Sequence, residues 1–272
     1  MRVPLHQYGD RPRIAVVTGA GGGLGAAIVK RLESRGYQAL GFDVAGDCRR
    51  LDVTDAEACR SVARALRPAV WVNNAGLLGA GDAATQPDCE VEQVVRVNLL
   101  GVMNGTRAAV EVMRELGEGR VLNVGSLACW TPVPGEAVYA ATKAGVLAFS
   151  ASLAAELRDT EVTISVLCPD GMWSPMLHDR LDDPAAALSF TGTRLLQPDE
   201  VAAAAIDLLE SARFVRTLPR WRGAQTRLIG ALPGIGLRGY PVFRRLGLRN
   251  QRRFREQLAD DVARIEQREE PG

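Results

Sequence analysis

Metal ligands are scarce in this chain. Its two histidines, His6 and His178, stand far apart, and neither has a second ligand at metal-binding spacing. The five cysteines (Cys48, Cys59, Cys89, Cys129 and Cys168) are odd in number and scattered, with no Cys-x-x-Cys pair. Structural zinc and a disulfide framework are therefore both disfavoured, and a cytoplasmic, reducing setting is expected. No run of about 18 apolar residues suggests a membrane-spanning helix. The stretch Met1 to Asp10 lacks the apolar core of a signal peptide. Internal repeats and low-complexity linkers are also missing, so nothing cuts the 272 residues into two domains. With 47% hydrophobic residues, 24% charged residues and a net charge of +1, the chain suits one α/β domain with a large core. Acidic residues are absent between Arg213 and Arg255 while arginines recur there, so the near-neutral total hides a basic C-terminal part.

Short apolar runs alternate with helix-period segments. Strands are predicted at Ile14 to Val17, Gln38 to Phe42, Ala69 to Val72, Val121 to Val124 and Val162 to Leu167. Helices are predicted from Leu24 to Arg35, Ala56 to Leu66, Glu90 to Leu116 and Ala137 to Arg158. Strands separated by helices of this length imply a doubly wound, Rossmann-type parallel sheet with helices on both faces. The alternation fails after Leu218, where Pro219, Pro233 and Pro241 stand among glycines and arginines before a predicted terminal helix from Asn250 to Gln267. The expected organisation is an N-terminal arm (1–12), a dinucleotide-binding and catalytic domain (13–218) and a basic, apolar extension (219–272).

The first strand ends where Thr18-Gly-Ala-Gly-Gly-Gly-Leu-Gly25 begins. Glycines permit a tight turn and let backbone N–H groups approach a pyrophosphate, and the following helix N-terminus favours an anion. A mere strand–helix turn is the plain alternative. Asp43 closes the second strand, where a carboxylate can accept hydrogen bonds from the adenosine ribose hydroxyls and repel a 2′-phosphate; NAD is thus favoured over NADP. Asp43 could instead only begin a surface turn, and Arg49 and Arg50 nearby could moderate the discrimination.

Tyr139-Ala-Ala-Thr-Lys143 places a phenol and an ammonium one helical turn apart, with Ser126 thirteen residues upstream at the end of a strand. A secondary alcohol gives up hydride readily when its hydroxyl proton leaves with it. A tyrosine can take that proton if its pKa, ordinarily about 10, is drawn toward neutrality by a nearby cation. Ser126 can hold the substrate oxygen. A Tyr/Lys helix pair alone is commonplace on protein surfaces; the glycine loop and Ser126 distinguish this one.

Taken together, these motifs make the chain resemble the short-chain dehydrogenase/reductase family over roughly residues 13 to 211. The resemblance assigns Thr18, Gly19, Gly23, Leu24 and Gly25 to the dinucleotide loop and Asp52 and Val53 to the adenine. It also assigns Asn73-Asn74-Ala75-Gly76 to the cofactor wall and the support of the sheet. It implies Tyr139 as general acid/base, Lys143 as its modulator and nicotinamide-ribose ligand, and Ser126 as the group orienting the carbonyl. Asn98 would hold a water in the proton relay, unless it is simply a polar helix residue satisfied locally. After the sixth strand the family's Pro-Gly and threonine become Pro169-Asp170 and Ser174, so Pro169 and Ser174 can still face the cofactor while Asp170 unsettles the local backbone.

Leu127, Trp130, Val133 and Pro134, with Met172, Trp173, Met176 and Leu177, would wall a pocket for a large hydrophobic alcohol or ketone, although Met and Trp are more often core. The basic, apolar tail suits a lid or subunit interface first, then contact with an anionic membrane. No nucleic-acid motif accompanies it. Family resemblance implies a homodimer or homotetramer packed through the two long helices. A non-catalytic dinucleotide-binding protein or a peripheral membrane protein on the same fold is the rival reading.

Overall fold

The computed structural model describes residues 12–211 and 213–269. The arm expected at 1–12 lies, but for its last residue, outside them. Seven parallel strands form one sheet: β1 (Ile14–Thr18), β2 (Gln38–Asp43), β3 (Arg49–Arg50), β4 (Val70–Asn73), β5 (Glu118–Val124), β6 (Glu161–Pro169) and β7 (Val215–Leu218). Their spatial order is β3-β2-β1-β4-β5-β6-β7. The order reverses beside β1, which opens a crevice at the carboxyl ends of β1 and β4. Strand side chains alternate between the faces. Ala15, Val17, Val70, Val72 and Leu122 join one buried layer, while Val16, Trp71 and Val121 join the other. Such two-sided burial explains the continuous apolar runs in the sequence.

Helices α1 (Gly23–Glu33), α2 (Ala56–Leu66), α3 (Asp88–Val95), α4 (Val102–Leu116), α5 (Ala137–Glu156), α6 (Pro175–His178) and α7 (Pro198–Ser211) connect the strands. The long helix expected from Glu90 to Leu116 is present, but a π-helical turn, Arg96–Gly101, interrupts it between α3 and α4. α5 is long and apolar enough by composition to cross a membrane, although no such segment was expected. Its inner face nevertheless carries buried Lys143, Val146 and Ser150 against the sheet. Beyond β7 come α8 (Arg220–Ala231) and α9 (Pro233–Glu269). α9 begins 17 residues before the predicted terminal helix and runs through Pro241.

These helices hold because each presents a close-packing inner stripe. A Cβ on Gly223 or Gly230 of α8 would fall 2.0 Å from Thr217 Oγ1 or 1.7 Å from the Trp130 carbonyl oxygen, and one on Gly247 of α9 would fall 1.9 Å from that of Ala187. Asn250 donates to the carbonyls of Phe190 and Gly192, and Gln251 to those of Arg180 and Asp183. Phe254 sits edge-on to Trp173 with ring centroids 6.0 Å apart. Tertiary packing overrides the poor helix propensity of the glycines and Pro241.

Candidate active site

The crevice at the strand ends holds a cavity of about 540 Å³ lined by Gly19, Gly21 to Leu24, Asp43, Asp52, Val53, Asn74 to Gly76, Tyr139, Lys143, Pro169 and Ser174. Nearly every residue assigned from the sequence to the dinucleotide is thus on one wall or another. The glycine loop must be glycine. Gly19 and Gly23 have φ of +66° and +54°. A Cβ on Gly25 would stand 2.1 Å from the Gly19 carbonyl oxygen, and one on Gly19 would stand 2.6 Å from Ala75 Cα. The Thr18 hydroxyl donates to the Val72 carbonyl and accepts from the amides of Asn74 and Ala75. Asn74 Nδ2 donates to the carbonyls of Thr18 and Gly19. Thr18 and Asn74 therefore act as the clamp that fixes the loop beside the cavity. This cradle, closed to side chains at Gly19 and Gly25 and opening on a long crevice, fits a dinucleotide.

Asp43 does two things at once. Its Oδ2 accepts from the Gly21 amide at 2.9 Å, which ties it to the loop, and its Oδ1 accepts from Val44 at 2.7 Å, which starts a surface turn. Its carboxylate still faces the cavity. Arg50 pairs with Asp43 across β2 and β3 and reaches the Val44 carbonyl.

Ser126, Tyr139 and Lys143 converge because β5 ends where the first turns of α5 pass. Lys143 is 5% exposed; its Nζ donates to the Val124 carbonyl at 3.0 Å and lies 5.6 Å from the Tyr139 ring centre. Burial holds its pKa below the usual lysine value. Burial pushes the Tyr139 phenol well above its ordinary value, opposed by its hydrogen bond with Ser126. The expected pull of the lysine charge on the phenol is therefore not the dominant influence here. The phenol and the Ser126 hydroxyl thus lie within hydrogen-bonding reach of each other on the crevice wall.

Asn98 is fully buried within the π-turn. Its Oδ1 accepts from the Leu77 amide at 2.7 Å, and its Nδ2 donates to the Leu77 carbonyl at 2.8 Å and to Thr142 Oγ1 at 3.4 Å. Its amide is thus satisfied by protein, as the plain reading of the sequence allowed, and it pins the Gly76–Leu77 wall to α5. Behind it runs a buried polar chain invisible to local periodicity. Asn73 bridges Trp71, Thr106 and Asn123, and Asn123 continues to Ser150 on α5. A fully satisfied network of this kind fixes the sheet against the helix that carries Tyr139 and Lys143.

A second cavity of about 110 Å³ meets the first at Ser126, Asp170, Gly171 and Ser189. Leu127, Val133 and Pro134 line it as expected, joined from α8 and α9 by Ile229, Leu237, Tyr240 and Phe243. Side chains of α8 and α9 thus supply one wall of this pocket. Other residues assigned to its walls lie elsewhere. Met172, Met176 and Leu177 line the dinucleotide crevice, Trp173 packs on Phe254, and Trp130 lies under the Arg227 guanidinium at 4.4 Å.

Two features of this pocket escaped the sequence reading, the buried carboxyl of Glu136 and the partner of Asp170. Glu136, three residues before Tyr139 and 1% exposed, has a carboxyl whose one hydrogen-bond partner among the described residues is the Ser189 hydroxyl, and burial pushes its pKa up to about 7. Asp170, the departure at the family's glycine position, accepts from Arg222 Nε at 2.9 Å. Arg222 also bonds Thr191 and Gln225. The Asp170 backbone is unstrained, since Arg67 is the sole non-glycine with positive φ among the described residues. The pair instead bolts α8 to the end of β6. Ser174 accepts from the Leu177 amide as the cap of α6 while keeping its place on the crevice wall.

Comparison with known proteins meets this geometry from outside. Residues 44–185 match the short chain dehydrogenase family. The 3-oxoacyl-(acyl-carrier-protein) reductase FabG of Escherichia coli is 30% identical over 195 residues, covering 65% of this chain and 80% of the relative. The dehydrogenase/reductase SDR family member 11 of Bos taurus is 29% identical over 240 residues, covering 76% and 93%. Among solved structures, a variant of the actinorhodin polyketide ketoreductase determined with NADPH superposes with a TM-score of 0.70 at 26% identity, covering 76% of this chain and 95% of that one. A short-chain dehydrogenase from Streptomyces avermitilis, at 23% identity and TM-score 0.71, shares the fold. The order of strands, the glycine cradle and these matches have one common explanation: the chain belongs to the short-chain dehydrogenase/reductase family of nicotinamide-dependent oxidoreductases.

Proposed function

We propose that this oxidoreductase interconverts a hydrophobic secondary alcohol and its ketone, with NAD preferred over NADP. The observation that carries the reading is the meeting of Ser126, Tyr139 and Lys143 on the wall of a dinucleotide-sized crevice, which adjoins the inner pocket at Ser126. Thr18, Gly19, Gly23, Leu24 and Gly25 would hold the pyrophosphate end, Asp43 the adenosine ribose, Asp52 and Val53 the adenine, and Asn74 to Gly76 with Pro169 and Ser174 the inner half. The nicotinamide supplies or accepts the hydride. Tyr139 gives its phenolic proton to the carbonyl oxygen in reduction and takes it back in oxidation; Ser126 holds that oxygen, and Lys143 steadies the phenolate as it forms. Asp43 supports NAD because a second negative charge beside it would be repelled.

The pocket favours a molecule that is mostly apolar yet carries a hydrogen-bonding group away from the reacting carbon, since Glu136 and Tyr240 interrupt its hydrocarbon lining. The apolar, only 22% buried helix α5 supports pairing of subunits through the long helices, as a homodimer or homotetramer. A cytoplasmic setting is part of the same reading; the described cysteines are free thiols.

The test is turnover of a panel of steroid, terpenoid and long-chain secondary alcohols and ketones with NAD(H) and NADP(H), with Tyr139→Phe alongside. Turnover that needs Tyr139 and prefers NAD supports the proposal. Dinucleotide binding without any turnover favours the non-catalytic rival.

A further inference from the structure

The outward face of the extension has no counterpart elsewhere on the molecule. Of the large hydrophobic side chains exposed on the described residues, all but Val44, Leu100 and Met176 lie on α8, α9 and their junction. Trp221, Leu228 and Leu232 are 55%, 64% and 48% exposed, and Leu237, Val242 and Leu246 are 58%, 66% and 42% exposed. The spacing 221, 228, 232 puts the first three on one face of α8, opposite Arg222, Gly223 and Thr226, which are buried. On α9 the inner stripe is Phe243, Gly247, Asn250 and Phe254, which leaves Val242 and Leu246 outward.

Arginines frame these residues. Arg220, Arg238, Arg244, Arg245, Arg249 and Arg252 are exposed, and none meets a carboxylate among the described residues. Arginines around the sheet commonly do, as Arg31 with Asp199, Arg64 with Glu111 and Arg194 with Glu200 show. No Asp or Glu occurs between Arg213 and Arg255, so these arginines have no acidic neighbour within that stretch.

We propose that the outer face of α8 and α9 docks on an anionic lipid bilayer, the arginines lying among phosphate headgroups and the six apolar side chains entering the interface. A second copy of this chain fits the face poorly, because a twofold contact would set its uncompensated arginines against their own copies. Nucleic acid would leave the apolar side chains unused, since its interfaces are polar. Leu237 lines the pocket beside Ser126 and is also exposed on this face, so the docked surface borders the inner pocket. The docking itself rests on surface chemistry and is independent of the assigned cofactor and substrate.

The experiment uses the whole chain and vesicles of phosphatidylcholine alone or with about 30% phosphatidylglycerol, read by co-flotation. Binding is expected to the anionic vesicles, at least about tenfold stronger than to the neutral ones, and to weaken in high salt. Arg238→Glu, Arg245→Glu and Arg249→Glu together should lower it by roughly a hundredfold. Leu228→Ser, Leu232→Ser and Val242→Ser should lower it without restoring binding at low salt. Since all six side chains face outward, thermal unfolding should stay where it is. Absence of binding by the folded parent chain overturns the proposal, and so does binding that survives both sets of changes. A change of oligomeric mass in the variants, with vesicle binding absent in parent and variants alike, overturns it in favour of a subunit interface.

Discussion

Replacing Glu136 by Gln isolates a carboxyl that the substrate pocket buries without an ion pair among the described residues. Both of its oxygens depend on the single Ser189 hydroxyl, at 2.7 and 2.9 Å. Burial pushes its pKa from 4.5 up to about 7, against the Ser189 bond; the charge of Asp183 adds to the rise and that of Arg180 opposes it. The folded chain therefore holds this proton more tightly than the unfolded one. Its contribution to stability is complete below pH 4.5 and is lost as the pH climbs through about 7. At about 1.36 kcal/mol for each tenfold step, the loss amounts to roughly 3 kcal/mol by the time the carboxylate has formed. Glutamine keeps the shape and still offers Ser189 an acceptor, but cannot titrate. Urea unfolding followed by circular dichroism at intervals from about pH 4 to 8 should show the parent losing roughly 3 kcal/mol relative to Glu136→Gln, mostly between pH 4.5 and 7. Parallel stability curves would refute the reasoning, because they would mean that Glu136 titrates alike in the folded and unfolded chains.

Tyr139→Phe should cut turnover by about 10²- to 10⁴-fold while leaving dinucleotide binding, followed by quenching of intrinsic fluorescence, within about twofold. Asp43→Ala should lower the ratio of kcat/KM for NAD over NADP by at least about tenfold, measured with one substrate and both cofactors. The same change frees the amides of Gly21 and Val44, so a modest fall in Tm should accompany it. Arg222→Ala should destabilise the fold by about 3–5 kcal/mol in chemical denaturation, since it strands the Asp170 carboxylate where the two side chains are each only 10% exposed.

The dinucleotide crevice could be read from the sequence because its constraints are local. Gly19 and Gly23 need left-handed backbone, Gly25 lies against the Gly19 carbonyl, and strand, loop and helix follow one another in the chain. The sheet was legible for a similar reason, because strands buried on both faces leave continuous apolar runs. What could not be read depends on partners far along the chain. β3 is two residues long, Arg49–Arg50, and carries no apolar signal. The π-turn around Asn98 keeps helical composition. Pro233, Pro241 and the glycines of α9 argue locally against a helix, and only the close approach of Gly247 to Ala187, together with the hydrogen bonds of Asn250 and Gln251, makes one there. The lining of the inner pocket was partly misplaced for the same reason, since the segment after β6 turns Met172 and Met176 toward the crevice and yields the inner wall to α8 and α9.

Asp170 and the extension, separate anomalies in the sequence, are one feature in the fold. A glycine after Pro169 would leave Arg222, 8% exposed, facing Thr191 and Gln225 with its charge uncompensated. Conversely, without α8 the Asp170 carboxylate would lose the one cation it meets among the described residues. Each departure from the common pattern makes the other tolerable, although 52 residues separate them. Asp170 lines both cavities, so the ion pair fastens α8 to the wall that they share. α8 and α9 thereby shape the inner pocket that Ser126 borders. Under the proposed function, substrate choice is to be sought in α8 and α9 rather than in the residues proposed for the hydride transfer.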